Sequence, residues 1–79
     1  MISLQEILRD IVGCIIGEDS EINIVEKDGG NGMIVLELSV AKENMGKIIG
    51  RKGKIAKALR SVMKACANRR NQKVMIEIV

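Results

Sequence analysis

The sequence predicts an α+β fold: two layers, a three-stranded sheet with helices on one face, in the order α-β-β-α-α-β. Three observations lead there. The first sixteen residues carry apolar side chains at helical spacing. Three later segments alternate their apolar residues with a period of two. Residues 43–69 hold two helix-forming stretches that meet at a pair of glycines. A chain of 79 residues makes one domain, 1–79, with a modest core.

The first helix is predicted over 3–16. Ser3 followed by Glu6 is a capping-box signature, and Leu4, Ile7, Leu8, Ile11, Val12 and Ile15 form one apolar stripe. Gly17 is placed to cap its C-terminus. Gly13 weakens the last turn and points to close packing against a neighbour. Two strands follow over 21–27 and 33–40, with Ile22 and Ile24 on one face of the first and Ile34, Leu36, Leu38 and Val40 on one face of the second. Between them Asp28-Gly29-Gly30-Asn31-Gly32 reads as a hairpin turn. A short helix is predicted over 43–49, N-capped by Asn44, and a longer one over 54–69. The core stripe expected for the long helix is Ile55, Leu59, Val62, Met63 and Cys66, with Lys57, Arg60 and Lys64 on the opposite side. A closing strand sets Val74, Ile76 and Ile78 on one face.

Composition narrows the function. The net charge of +3 hides a strong polarity. Residues 1–40 hold two cations against eight acids, a balance of −6, whereas residues 41–79 hold eleven cations against two acids, a balance of +9. One basic face is the usual footprint of nucleic-acid binding. The absence of histidine excludes Ser-His-Asp and Cys-His catalysis and His-containing zinc sites, so no catalytic or metal residue is assigned and no cofactor is expected. Without Phe, Tyr or Trp, single-strand binding by aromatic stacking is excluded as well. Cys14 and Cys66 form no CxxC pair and are expected as reduced core thiols. No signal-peptide pattern and no apolar run of membrane-spanning length is present, which predicts a cytoplasmic protein without a membrane partner.

The chemistry concentrates in Ile48-Ile49-Gly50-Arg51-Lys52-Gly53-Lys54-Ile55. Two glycines three apart bracket two cations, and a helix begins directly after them. Glycine permits a sharp turn and a close ligand approach, and the amides of a helix N-terminus favour an anion. A phosphodiester backbone fits this arrangement best. Rival glycine motifs fail on spacing. A Walker A loop needs glycine five residues before Gly53 and Ser or Thr after Lys54, where Ile48 and Ile55 stand. A dinucleotide fingerprint needs glycine two residues before Gly50, which is Ile48 again.

A helix-GxxG-helix unit inside α-β-β-α-α-β resembles the KH domain in its type II topology, and the whole chain resembles the small bacterial single-KH proteins of the KhpA type. The most specific part is Gly46-Lys47-Ile48-Ile49-Gly50-Arg51-Lys52-Gly53-Lys54-Ile55-Ala56-Lys57-Ala58-Leu59-Arg60. One departure is Lys42 and Asn44, where Pro and Asp are expected before the short helix. The resemblance implies a non-catalytic, single-stranded RNA-binding protein, a post-transcriptional regulator or RNA chaperone, whose groove takes about four nucleotides. Gly50 and Gly53 would admit the sugar-phosphate backbone, and Arg51, Lys52 and the amides near Lys54 would hold phosphates. Lys47, Lys57 and Arg60 would extend the basic track. Ile48, Ile49 and Ile55 either anchor the two helices in the core or, for Ile48 or Ile49, also pack on a base. The strand over 33–40 would form the opposite wall.

Two other functions compete on the residues alone. Residues 43–69 could act as a helix-turn-helix on double-stranded DNA, although the glycine-bracketed turn has no purpose there. The basic face could instead dock an acidic protein, making the chain a pure interaction module. Ala56, Ala58, Ala65 and Ala67 widen the apolar arc of the long helix, which suits either helix formation alone or a homodimer that joins two weak grooves. The resemblance also implies a heteromer with a second, larger KH-containing RNA-binding protein.

Overall fold

The computed structural model describes residues 2–79. Helix α1 (Leu4–Ile16) starts where its cap dictates, with Ser3 Oγ accepting the Glu6 amide at 3.1 Å. It stops at Gly17, whose φ of +104° no side chain adopts readily and whose amide donates to the Gly13 carbonyl at 2.8 Å. The close packing expected at Gly13 is not found. A methyl there would lie 3.5 Å from Glu18 Cγ, an ordinary contact.

Strands β1 (Ile22–Asp28) and β2 (Met33–Val40) pair antiparallel from Ile22↔Val40 to Asp28↔Ile34. The hairpin between them closes through Gly29 N–H to Met33 O at 2.8 Å and Met33 N–H to Gly30 O at 2.9 Å. Gly30, Asn31 and Gly32 all take positive φ, which explains the turn's composition. Strand β3 (Lys73–Ile78) lies on the other side of β2 and runs parallel to it, so the sheet order is β1-β2-β3. A parallel neighbour requires a long crossover, and α2 and α3 supply it. The α+β order read from the sequence is the order found.

Helix α2 (Met45–Ile49) is a single turn, entered through a 3₁₀ turn over Lys42–Asn44. Asn44 does not cap it as expected. Its backbone is already helical at φ −100° and ψ −8°, and its side chain makes no capping bond. Helix α3 (Lys54–Arg69) has the predicted limits but a rotated inner face. Its buried residues are Ala56, Leu59, Met63 and Ala67, while Ile55 and Val62 stand 37% and 47% exposed. Small side chains let α3 approach the sheet closely, so two of the alanines assigned to an outer arc are core.

The core lies between sheet and helices. Leu8, Val12, Leu36, Leu38, Ile48 and Met63 are fully buried, each contributing about 1.5–3 kcal/mol of transfer free energy. Helix α1 packs over β1 and α3 over β3, and both helices touch α2. The outer edge of β1 is sealed by α1: Gln5 Nε2 donates to Ile24 O and Arg9 Nη1 to Ile22 O, each at 3.0 Å. Neither cysteine is bridged, and Cys14 is exposed on the outside of α1 rather than in the core. No helix is long and apolar enough to cross a membrane.

Candidate nucleic-acid interface

The turn joining α2 to α3 is strained in a way the sequence explains. Gly50 (φ +75°, ψ 174°) breaks α2 while its amide still donates to Gly46 O at 2.8 Å. Lys52 (φ 57°, ψ 26°) and Gly53 (φ 74°, ψ 15°) are both left-handed. Three of the four turn residues thus occupy a region open mainly to glycine, and the lysine among them stores about 1–2 kcal/mol.

The two glycines serve different ends. A β-carbon on Gly50 would fall 2.8 Å from Ile55 Cβ and 2.9 Å from the Ile55 amide nitrogen, besides meeting Ile55 Cγ1. Gly50 is there so that the start of α3 can fold against the turn. Around Gly53 a β-carbon would meet nothing within 4 Å. That side of the turn is open, and a ligand can reach the backbone across it.

Arg51, Lys52 and Lys54 are all exposed on this bend. The only ion pair among the described residues joins Lys27 to Glu37 at 3.0 Å, so these cations have no carboxylate partner. Gly53, at the α3 cap position, offers no side-chain acceptor, which leaves the first turn of a 16-residue helix without a capping group. The Lys54 amide is an exception to the expected phosphate-holding set, since it donates to the Arg51 carbonyl.

Of the outlying candidates, Lys47 and Lys57 are exposed and point their charges to solvent. Ile48 is corrected: it is 0% exposed and part of the core cluster, so it anchors α2 and touches no ligand. Ile49 is 41% exposed beside the turn and can meet a base. Ile55 leans on Gly50 and lines an apolar hollow of about 140 Å³ with Ile11, Ile15, Ala58, Leu59 and Val62. That hollow lies on the α1 flank of α3.

Arg60 lies on the other flank and is not merely solvated. Its Nε donates to the Ile76 carbonyl at 3.3 Å, which ties α3 to the outer edge of β3. The wall expected from residues 33–40 is also corrected. Strand β2 is central, its backbone paired to β1 on one side and β3 on the other, so it has no free edge to offer. Strand β3 has one. Val79 N–H donates to Leu38 O at 2.9 Å, so odd-numbered residues face β2 and Val74, Ile76 and Ile78 turn their amides and carbonyls outward. The signal was the α-α linkage between the second and third strands, since a crossover of that length is what a parallel pair demands.

Comparison with known proteins agrees with this geometry. A family model described as "KhpA/KhpB, KH domain" matches residues 5–78. Among similar proteins, RNA-binding protein KhpA of Clostridium acetobutylicum is 41% identical over 76 residues, covering 96% of this chain and 100% of that protein. The proteins of the same name from Chlamydia trachomatis and Borreliella burgdorferi are 40% and 38% identical, covering 96% and 89% of those proteins and 96% and 94% of this chain. Two crystal structures of Era share the fold, one from Aquifex aeolicus bound to GDP and aluminium fluoride and one in complex with MgGDPNP and a segment of 16S ribosomal RNA. Both give a TM-score of 0.58 at 23% identity, with 95% of this chain matched to 29% and 28% of those chains. On its order of elements, its glycine-bracketed turn and these matches, the chain belongs to the KhpA/KhpB family of KH domains.

Proposed function

We propose that this chain is a non-catalytic, single-stranded RNA-binding protein of the bacterial cytoplasm, acting as a post-transcriptional regulator or RNA chaperone. About four nucleotides lie in the groove between the α2–turn–α3 unit and the free edge of β3. The observation that carries the reading is the open side of Gly53 beside unpartnered Arg51, Lys52 and Lys54. The names of the similar proteins support RNA as the ligand. A helix-turn-helix reading has little support, because α2 is only five residues long and cannot act as a scaffold helix across a duplex backbone.

The test replaces Arg51 and Lys52 by Asp and measures anisotropy of a labelled single-stranded RNA, with duplex DNA as competitor. Asp tolerates left-handed backbone, so position 52 should not unfold the turn. The expected result is loss of RNA binding at unchanged melting temperature, and for the unaltered protein a salt slope near −0.7 per phosphate contact. Unchanged RNA affinity in the double variant, or duplex DNA that competes as well as RNA, would defeat the reading.

The proposal extends to partners. With no aromatic side chain to stack on bases, one groove of this size binds weakly, and a second groove on the same particle raises avidity. The apolar flank of α3, with Ile55 and Val62 exposed, is the surface for a second copy. A heteromer with a larger KH-containing RNA-binding protein would use the same flank. Sedimentation of the chain alone decides for the homodimer, and a monomer at high micromolar concentration decides against it.

A further inference from the structure

Resting on the groove reading, we propose that Arg60 selects one base of the bound strand, favouring guanine or cytosine over adenine and uracil. Three observations converge on it. The guanidinium is fixed at the free edge of β3 by the bond from Nε to the Ile76 carbonyl at 3.3 Å. That bond uses the inner nitrogen and leaves both terminal nitrogens, four N–H donors, facing outward as a planar fork. No carboxylate pairs with them among the described residues. Arg9 provides the contrast within the same molecule. It seals the β1 edge through a terminal nitrogen, Nη1, and so has no intact terminal fork to offer.

Position along the groove separates a base contact from a phosphate contact. Arg60 is six residues beyond Lys54, about 9 Å along the helix axis from the turn that takes the phosphates. It also stands against the strand edge, on the side towards which bases project when the backbone lies on the turn. A two-donor fork pairs best with two adjacent acceptors in one plane. Guanine presents N7 and O6, and cytosine presents O2 and N3. Adenine and uracil each interrupt their acceptors with a donor, so either would oppose an N–H to the fork.

The experiment uses four uridine octamers with a single central A, C, G or U, and the full chain in both unaltered and Arg60→Lys forms. Lysine keeps the charge and the helix propensity but has no fork, so the variant should fold. The unaltered protein should bind the G or C octamer at least about tenfold more tightly than the A and U octamers. Arg60→Lys should lower G or C to the level of U while the A and U affinities stay within about threefold. In the unaltered protein, the terminal guanidinium NMR signals should shift with the preferred octamer and not with uridine alone. Equal binding of all four octamers, a preference that survives in Arg60→Lys, or a uniform loss for all four, as from a phosphate clamp, would each overturn the assignment. Failure of the unaltered protein to bind any octamer would sink the groove reading itself, a distinguishable outcome.

Discussion

Replacing Gly50 and Gly53 separately by Ala should give unequal results, although the two look alike in the motif. At Gly50 two penalties combine. The backbone (φ +75°, ψ 174°) lies in a region almost confined to glycine, costing about 1–3 kcal/mol for any other residue. The new methyl would also fall 2.8 Å from Ile55 Cβ and 2.9 Å from its backbone nitrogen, and a backbone atom inside a helix cannot yield. Overpacking of that kind adds about 1–3 kcal/mol. The total of about 3–5 kcal/mol is comparable to the whole stability of a domain this small. At Gly53 only the left-handed backbone remains, about 1–2 kcal/mol, because nothing lies within 4 Å of the new methyl. Urea unfolding with a shared slope checks both. Gly53→Ala should melt about 4–12 °C below the parent, and Gly50→Ala should be largely unfolded at 37 °C. The folded Gly53→Ala protein should nevertheless lose RNA affinity severalfold, since its methyl stands where the nucleotide backbone approaches. Equal destabilisation by the two substitutions would refute the division of labour between the glycines.

Two further substitutions test the packing. Gly13→Ala should stabilise the domain by about 0.5–1 kcal/mol, because the position is helical and the nearest atom to the added methyl is 3.5 Å away; thermal melting reads the gain. Ile48→Ala should cost about 2–5 kcal/mol by leaving a cavity in the core, whereas Ile49→Ala should cost less than about 1 kcal/mol and show its effect in RNA affinity instead.

The order of elements, the ends of α3 and the position of the turn were legible because they depend on local chemistry: periodicity, capping residues and glycine. Ser3, Gly17 and the 28–32 hairpin behave as their residue types dictate. What was not legible depends on neighbours distant in sequence. Asn44 has the right type for a cap, but the 3₁₀ turn over Lys42–Asn44 had already begun the helix one step earlier. The face of α3 was misjudged because periodicity weights large apolar residues, and the close approach to the sheet selects Ala56 and Ala67. Ile48 and Ile49 are equally apolar in sequence, and only the direction of the short α2 decides that one is core and the other exposed. The bond from Arg60 to Ile76 joins residues sixteen apart and leaves no trace in spacing or composition.

The division of α3 into flanks bears on how a groove without aromatic side chains can hold RNA at all. Ile55, Ala58 and Val62 lie towards α1, whereas Arg60 reaches β3 on the other side, with Lys57 and Lys64 on the same flank by helical spacing. A partner seated on the first flank therefore does not cover the second. Stacking contributes about 1–3 kcal/mol per base in proteins that have it, and its loss over four bases is more than the phosphates at one short turn can replace. Two grooves on one particle offset that loss through effective concentration alone, with no new contact to RNA. Stronger binding through one groove would need more cations on the turn, which would raise affinity for every anion equally. Joining two weak grooves raises affinity only for strands long enough to span both, so selection by length enters before any base is read. Arg60, fixed by β3 and free at its fork, then acts on strands already held twice.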